Sequence, residues 1–347
     1  CYSSHLHDAI TFIILPEHFN AGCRTGILFV NNIFTPFRRS APTRTDSDRT
    51  PDALHAWTPG THIYLAQNVL ASAHLLPPTV ADLIRAFPFD FLYGNIAADS
   101  SMAKNFAPVS RHCHHWHVGQ EIHDLAPTDA LRAFGLGYLS HLAADTVAHN
   151  YFVPRQLAVT SSRSGLGPAY GEARFEAPLG EGFARTAKEV IQLDHTPADA
   201  HLDQIISPTI FSVRTNRRLF RGMVHLVETR SWQRAFRMAR AHSRWDLPDE
   251  DVEQHMALSY EFVMEMLGDD RPLARRLDPA GADPLKAAQH LRREVQGGRG
   301  SADVTRIHKL AERDFGLPRK ADLSYWRELT ASRPWKAPAE PGASDAA

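Results

Sequence analysis

His141, Asp145 and His149 follow one another at steps of four within GYLSHLAADTVAHNYFVP, Gly137 to Pro154. An α-helix has about 3.6 residues per turn, so each such step advances a side chain only about 40° around the axis. Two imidazoles and a carboxylate therefore fall along one face, a turn apart. This is a nitrogen and oxygen donor set that zinc accepts at about 2.0–2.2 Å. The alternative is a polar stripe on an exposed face or a satisfied hydrogen-bond network. Leu139, Leu142, Ala143, Ala144, Val147 and Ala148 leave this helix little charged surface, so it reads as buried on most sides. Buried His and Asp need partners, and one cation satisfies several at once.

Other residues of the same chemical types precede and follow this stretch. His62 stands in the first turn of a helical pattern, and Asp99 stands in an expected loop after Gly94. RHCHHWHVG places His112, His114, His115 and His117 within six positions, and GEARFEA presents Glu172 and Glu176 one helical turn apart. Taken singly, each has an ordinary explanation: a structural histidine, a loop carboxylate, an exposed polar loop, a solvated helix face. Together they form a bias. The chain has 20 histidines, and ten of them lie between His55 and His149.

The elements that must position these residues read as helices. Thr58-Pro59 supplies a capping hydroxyl and a proline for the first helical position. The segment after it carries Ile63, Leu65, Ala66, Val69, Leu70 and Ala73 at helical spacing. Pro78-Thr79 opens a shorter helix, VADLIRAF. Pro127-Thr128-Asp129 caps a long helix running to about Phe152, with Pro154 expected to stop it. Gly135 and Gly137 inside that helix cost stability, and close approach of a second helix would explain them. Residues 155–168 read as a loop, and GEARFEAPLGEGFARTAKEVIQ as a further helix. Segments 209–245, 248–267, 283–295, 302–315 and 320–331 are expected to be helical as well. Hardly any stretch alternates with period two for long enough to be a strand. The fold class expected is all-α, a multi-helix bundle with a metal site between helices. The expected organisation is an extension or linker at 1–56, the site-bearing helices at 57–200, added helices at 201–331 and a disordered tail at 332–347.

At this point the residues resemble a family. Trp57-x4-His62, the Asp99 loop, His115-Trp116, and His141-x3-Asp145 followed by His149 are similar to the zinc-dependent phospholipase C family, over roughly Trp57 to Gly182. Single-strand-specific zinc nucleases are a related group. The resemblance implies an all-helical fold with two or three zinc ions and hydrolysis of a phosphodiester. It assigns metal ligation to His62, Asp99, His115 (with His114 as the alternative), His141, Asp145 and His149, and to the backbone of Trp57 where the chain starts there. Asp145 would bridge two ions, and Asp99 would also accept the proton of the attacking water. Where the family has His-x3-Glu, this chain has Glu172 and Glu176, so an imidazole is missing and one ion loses a nitrogen ligand. The family leaves five residues between the bridging Asp and the next His, whereas three separate Asp145 from His149. Trp116, Phe91 and Tyr93 are the aromatic candidates for a substrate pocket wall.

Composition narrows the alternatives. A net charge of −1 and an isoelectric point near 7.1 name neither nucleic acid nor membrane as a partner. The three cysteines, Cys1, Cys23 and Cys113, support neither a disulfide framework nor a paired-cysteine zinc ribbon. No apolar run approaches the roughly 20 residues that span a bilayer. The arginines between Arg214 and Arg244 stand out against few acids; in a chain neutral overall they read first as a solvated helix face balanced by acids of other helices, and otherwise suit an anionic lipid surface or, less readily, nucleic acid. The expected function is a phospholipase C-like phosphodiesterase acting on a phospholipid or other phosphodiester, with transient membrane contact. The alternatives are a zinc nuclease and a non-catalytic helical protein that binds metal or a partner. Nothing legible in the sequence fixes the compartment.

Overall fold

Thr58 and Pro59 start the first helix as their chemistry dictates. The Thr58 hydroxyl accepts from the Thr61 amide at 3.2 Å, and Pro59 occupies a position whose missing N–H costs nothing. A computed structural model describes residues 57–100, 112–159, 181–208, 212–227, 247–296 and 304–320. Among these residues there are helices and turns and no strand, so the all-α expectation holds. Glu172, Glu176 and the segments 228–246 and 321–347 lie outside the described residues.

The helices in chain order are α1 (Pro59–Ala71), α2 (Pro78–Ala86), α3 (Pro88–Ala97), α4 (Trp116–Asp124) and α5 (Asp129–Val147). After a π turn at Ala148–Phe152 come α6 (Val153–Val159), α7 (Glu181–Gln192), α8 (Thr196–Ile205) and α9 (Val213–Val227). The last three are α10 (Asp249–Gly268), α11 (Ala282–Gln296) and α12 (Val304–Phe315). Helix α5 is the axis of the fold. It is capped by Thr128, whose hydroxyl accepts from the Leu131 amide at 3.3 Å. Its residues from Ala133 to Val147 are all buried, so beyond its exposed first turn it has no solvent face and no marked amphipathicity. Helices α3, α4 and α10 pack around it, α1 joins α3 and α10, and α11 and α12 pack on α6.

Two glycines set the closest of these contacts. A Cβ on Gly94 of α3 would overlap the carbonyl oxygen of Phe134, and one on Gly137 of α5 would overlap that of Phe91. Gly135 likewise faces the backbone of His123 on α4. The helix-weakening glycines are therefore places where two backbones touch. Gly94 itself lies inside α3, and Asp99 sits in a 3₁₀ turn, Ala98–Ser100, directly after that helix rather than in an open loop.

Pro154 does not stop the long helix. The π turn before it has already shifted the hydrogen-bond register, with the Val153 amide donating to the Ala148 carbonyl. Pro154 then falls in the first turn of α6, where an N–H is dispensable, and the helix resumes to Val159.

One buried histidine gives the fold a pH dependence. His255 of α10 packs edge-on against Phe152 at 5.4 Å, and its Nδ1 donates to the Asp251 carbonyl at 2.7 Å. Burial pushes its pKa down from 6.5 to about 4, outweighing the help of that carbonyl. The unfolded chain takes up this proton near 6.5 and the folded chain only near 4, so the unfolded state holds more protons in between. Stability is thus expected to fall as pH drops through that window, by about 3 kcal/mol in all from this group. Urea unfolding of wild type and His255→Gln across the window checks it. Equal slopes in the two proteins would assign the acid sensitivity elsewhere.

Candidate metal centre

Four elements bring their polar side chains to one buried point. Helix α1 supplies His62, the 3₁₀ turn after α3 supplies Asp99, the turn before α4 supplies His114, and α5 supplies His141 and Asp145. All five are at most 2 % exposed. One ligand atom from each of Asp99, His114, His141 and Asp145 lies within 4.8 Å of all the others.

The spacings fit a cation. His114 Nε2 is 3.2 Å from His141 Nε2 and 3.0 Å from Asp145 Oδ2, and His141 Nε2 is 3.1 Å from the same oxygen. Asp99 Oδ1 stands 3.5 Å from His114 Nε2 and 4.0 Å from His141 Nε2. Ligands about 2.0–2.1 Å from a tetrahedral zinc lie roughly 3.3 Å apart. The protonation pattern agrees for His141. Its Nδ1 must donate to the Asn95 carbonyl, 2.8 Å away, which leaves the Nε2 lone pair facing the cluster.

The other oxygen of Asp145 turns the opposite way. Oδ1 lies 3.2 Å from His62 Nε2, but the two lack the directional geometry of a hydrogen bond, and neither His62 nitrogen has a hydrogen-bond partner among the described residues. The His62 ring stacks on His141 at 3.9 Å. Burial, followed by the neighbouring His141, pushes the His62 imidazole below its ordinary range, towards the neutral form that can ligate. Burial alone would raise the Asp145 pKa, but His141, His114 and His62 hold its carboxyl well below the usual range. Asp145 is thus an ionised carboxylate with imidazoles on both sides, and the residues present fit a bound zinc ion.

The remaining expected residues fall at different distances from this point. His149 is in the π turn, with Nε2 3.9 Å from Asp145 Oδ2 and its ring 6.2 Å from that of His114, so it stands at the rim. His115 is not among the converging groups. It occupies the N-cap position of α4 with extended backbone (φ −124°, ψ 141°), half-buried, its ring between those of His112 and His117. The imidazole that enters the cluster is His114, one residue earlier. The Trp57 indole is buried against α5, donating to the Ala144 carbonyl at 3.1 Å and packing on Phe152. Phe91 is core, and the Tyr93 hydroxyl donates to Asp199 at 2.6 Å while its ring stacks on His195. Trp116 is half-buried, donating to the Leu277 carbonyl at 2.9 Å beneath the Arg275 guanidinium.

Three supporting residues were not read from the sequence. Asn95, through its carbonyl, orients His141. That group is a backbone carbonyl, which any residue could supply, so the sequence carries no signal for it; the Asn95 side chain itself donates to the Phe91 carbonyl at 2.9 Å. Asn150 in the π turn donates to the Asp278 carbonyl at 2.8 Å, and Gly281 (φ 59°) lies against the backbone of His149. Those contacts span more than a hundred residues and leave no local pattern.

Residues 61–204 match the family model described as zinc dependent phospholipase C. No curated protein and no solved structure matches the chain. The match spans α1 to α8 and covers every residue of the buried cluster. With a zinc-type donor set converging inside an all-helical fold, the region 61–204 is similar to the zinc-dependent phospholipase C family in both sequence and donor chemistry.

Proposed function

We propose that the protein is a phospholipase C-like phosphodiesterase holding at least two zinc ions in the buried cluster. The observation that carries this is the two-sided Asp145 carboxylate, with Oδ2 towards His114 and His141 and Oδ1 towards His62. A carboxylate placed so can serve one cation with each oxygen. His114, His141, Asp99 and Asp145 would hold the first ion. Asp145 and His62 would share the second, while His149 stands nearest the Asp145 Oδ2 side, at the edge of the first.

Zinc bound there supplies Lewis acidity towards a phosphoryl oxygen and lowers the pKa of an attacking water. The chain's own residues do the rest. Asn95 fixes the His141 tautomer so that its lone pair is presented without reorganisation. The buried helices exclude bulk water, which strengthens each electrostatic contact at the cluster. Asp99, on its 3₁₀ turn at the edge of the donor set, is the group that accepts the water's proton at a carboxylate oxygen.

The test is release of a phosphorylated headgroup from phosphatidylcholine by the zinc-loaded protein, with single-stranded DNA as the competing substrate. Asp99→Asn is expected to lower kcat about 10²–10⁴-fold, the usual worth of a positioned base. DNA cleavage without phospholipid cleavage would replace this reading with the nuclease one. Stoichiometric zinc with neither activity would leave a structural metal site.

A further inference from the structure

Helices α8 and α9 enclose an open cleft of about 280 Å³, and its walls are charged. Four arginines of α9 line it, Arg214, Arg217, Arg218 and Arg221, against two carboxylates of α8, Asp199 and Asp203. The acids are already engaged. Arg217 forms a fork to both oxygens of Asp203, at 2.6 and 2.9 Å, and reaches Asp199 at 3.3 Å. Asp199 also takes Arg221 at 3.3 Å and the Tyr93 hydroxyl at 2.6 Å. Arg214 and Arg218 are exposed and form no ion pair with any described residue. Among the described residues, the cleft therefore carries two guanidinium groups without a paired carboxylate beside two neutralised ones.

Its placement points to a surface rather than an isolated ion. Arg214, Arg218 and Arg221 follow at steps of four and three along one side of α9, while Asn216, Phe220 and Val224 are buried on the other. Two large apolar side chains are exposed near by. Leu193, 43 % exposed, precedes the cleft-lining Thr196 by three residues. Phe89, 58 % exposed, adjoins Asp90, whose carboxyl feels His195 at the start of α8. A row of arginines with apolar side chains near it suits a lipid interface, where guanidinium meets phosphate and apolar groups enter the acyl boundary. Helix α9 also packs against the Ala98–Ser100 turn that carries Asp99.

We propose that the Arg214/Arg218/Arg221 side of α9 docks the protein on a membrane surface bearing anionic phospholipid. The contact is accessory to the metal cluster and rests on a phospholipid being the substrate only for its purpose, not for its existence. Each exposed basic residue at such a surface contributes about fivefold to binding, so Arg214→Glu with Arg218→Glu is expected to weaken it by at least about 30-fold.

The experiment is co-sedimentation of the full, zinc-loaded chain with vesicles of phosphatidylcholine alone or with about 30 mol% phosphatidylserine. Wild type is expected to bind the anionic vesicles and release them in about 0.5 M salt. The double variant is expected to lose that binding while its zinc content and its rate on a water-soluble short-chain phosphatidylcholine stay unchanged. Equal binding of the two proteins, or no preference of wild type for anionic vesicles, overturns the proposal. So does arginine-dependent binding of inorganic phosphate or single-stranded oligonucleotide without vesicle binding. Vesicle binding by a protein that hydrolyses no lipid would retire the catalytic reading and leave the docking surface standing.

Discussion

Asp145→Asn is expected to strip the purified protein of zinc and of hydrolytic activity while leaving its helical content in place. The substitution keeps the volume and removes the charge from the residue on which His62, His114 and His141 converge at 3.2, 3.0 and 3.1 Å. Losing even a supporting residue of a metal ligand costs about 10–100-fold in affinity, so loss of a ligand shared by both sides of the site should exceed 100-fold. The measurement is zinc per chain by elemental analysis after dialysis, with far-ultraviolet circular dichroism as the control for folding. The opposing reading is a metal-free network in which Asp145⁻ pairs with protonated imidazoles. That network predicts a different result: zinc at background in both proteins, and a large loss of stability in the variant, because buried imidazoles would lose their counter-charge. The depressed His62 pKa argues against protonated rings there.

The sequence conveyed this site unevenly, for physical reasons. His141 and Asp145 were legible because a step of four on a helix is a geometric statement that needs no tertiary information. His62 and Asp99 lie 79 and 42 residues before His141 and have no such relation to it, so only the family resemblance connected them. The choice between His114 and His115 depends on where the chain turns to enter α4. Adjacent side chains diverge there, and no spacing rule says which points inward. His149 fits an ideal α-helical face, and at the start of the π turn it still faces Asp145, but at 3.9 Å it stands at the rim of the cluster. The shift of register in that turn defeats the expectation that Pro154 ends the helix. Gly135 and Gly137 were readable as a cost whose reason lay in neighbours the sequence does not identify. Leu277–Gly281, which borders Trp116, Asn150 and His149, joins the site only through the packing of α10 and α11.

Gly137→Ala tests whether the α3–α5 contact holds the site in register. In an isolated helix the change would help, since Ala is favoured over Gly by about 1 kcal/mol. Here the new Cβ would overlap the Phe91 carbonyl and come within 3.0 Å of the Gly94 Cα. Both are backbone atoms of α3, so no side-chain rotation can relieve the contact and the two helices must move apart. Overpacking of this kind costs about 1–3 kcal/mol, and more where backbone must shift, which exceeds the gain in helix propensity. A fall in Tm of roughly 5 °C is expected for a protein of this size. The displacement has a second consequence, because the Asn95 carbonyl that holds His141 Nδ1 at 2.8 Å rides on α3 one residue after Gly94. Zinc affinity should therefore fall by about 10–100-fold even though no ligand is altered. Gly182→Ala is the control, as its Cβ would meet nothing within 4 Å in α7. That variant should gain about 0.4–1 kcal/mol by restricting the unfolded chain. Thermal melts and competitive zinc titration of the two variants separate helix propensity from helix approach. A Gly137→Ala protein that melts with wild type and keeps its zinc would show that the bundle yields there, and that His141 is held by something other than the proximity of α3.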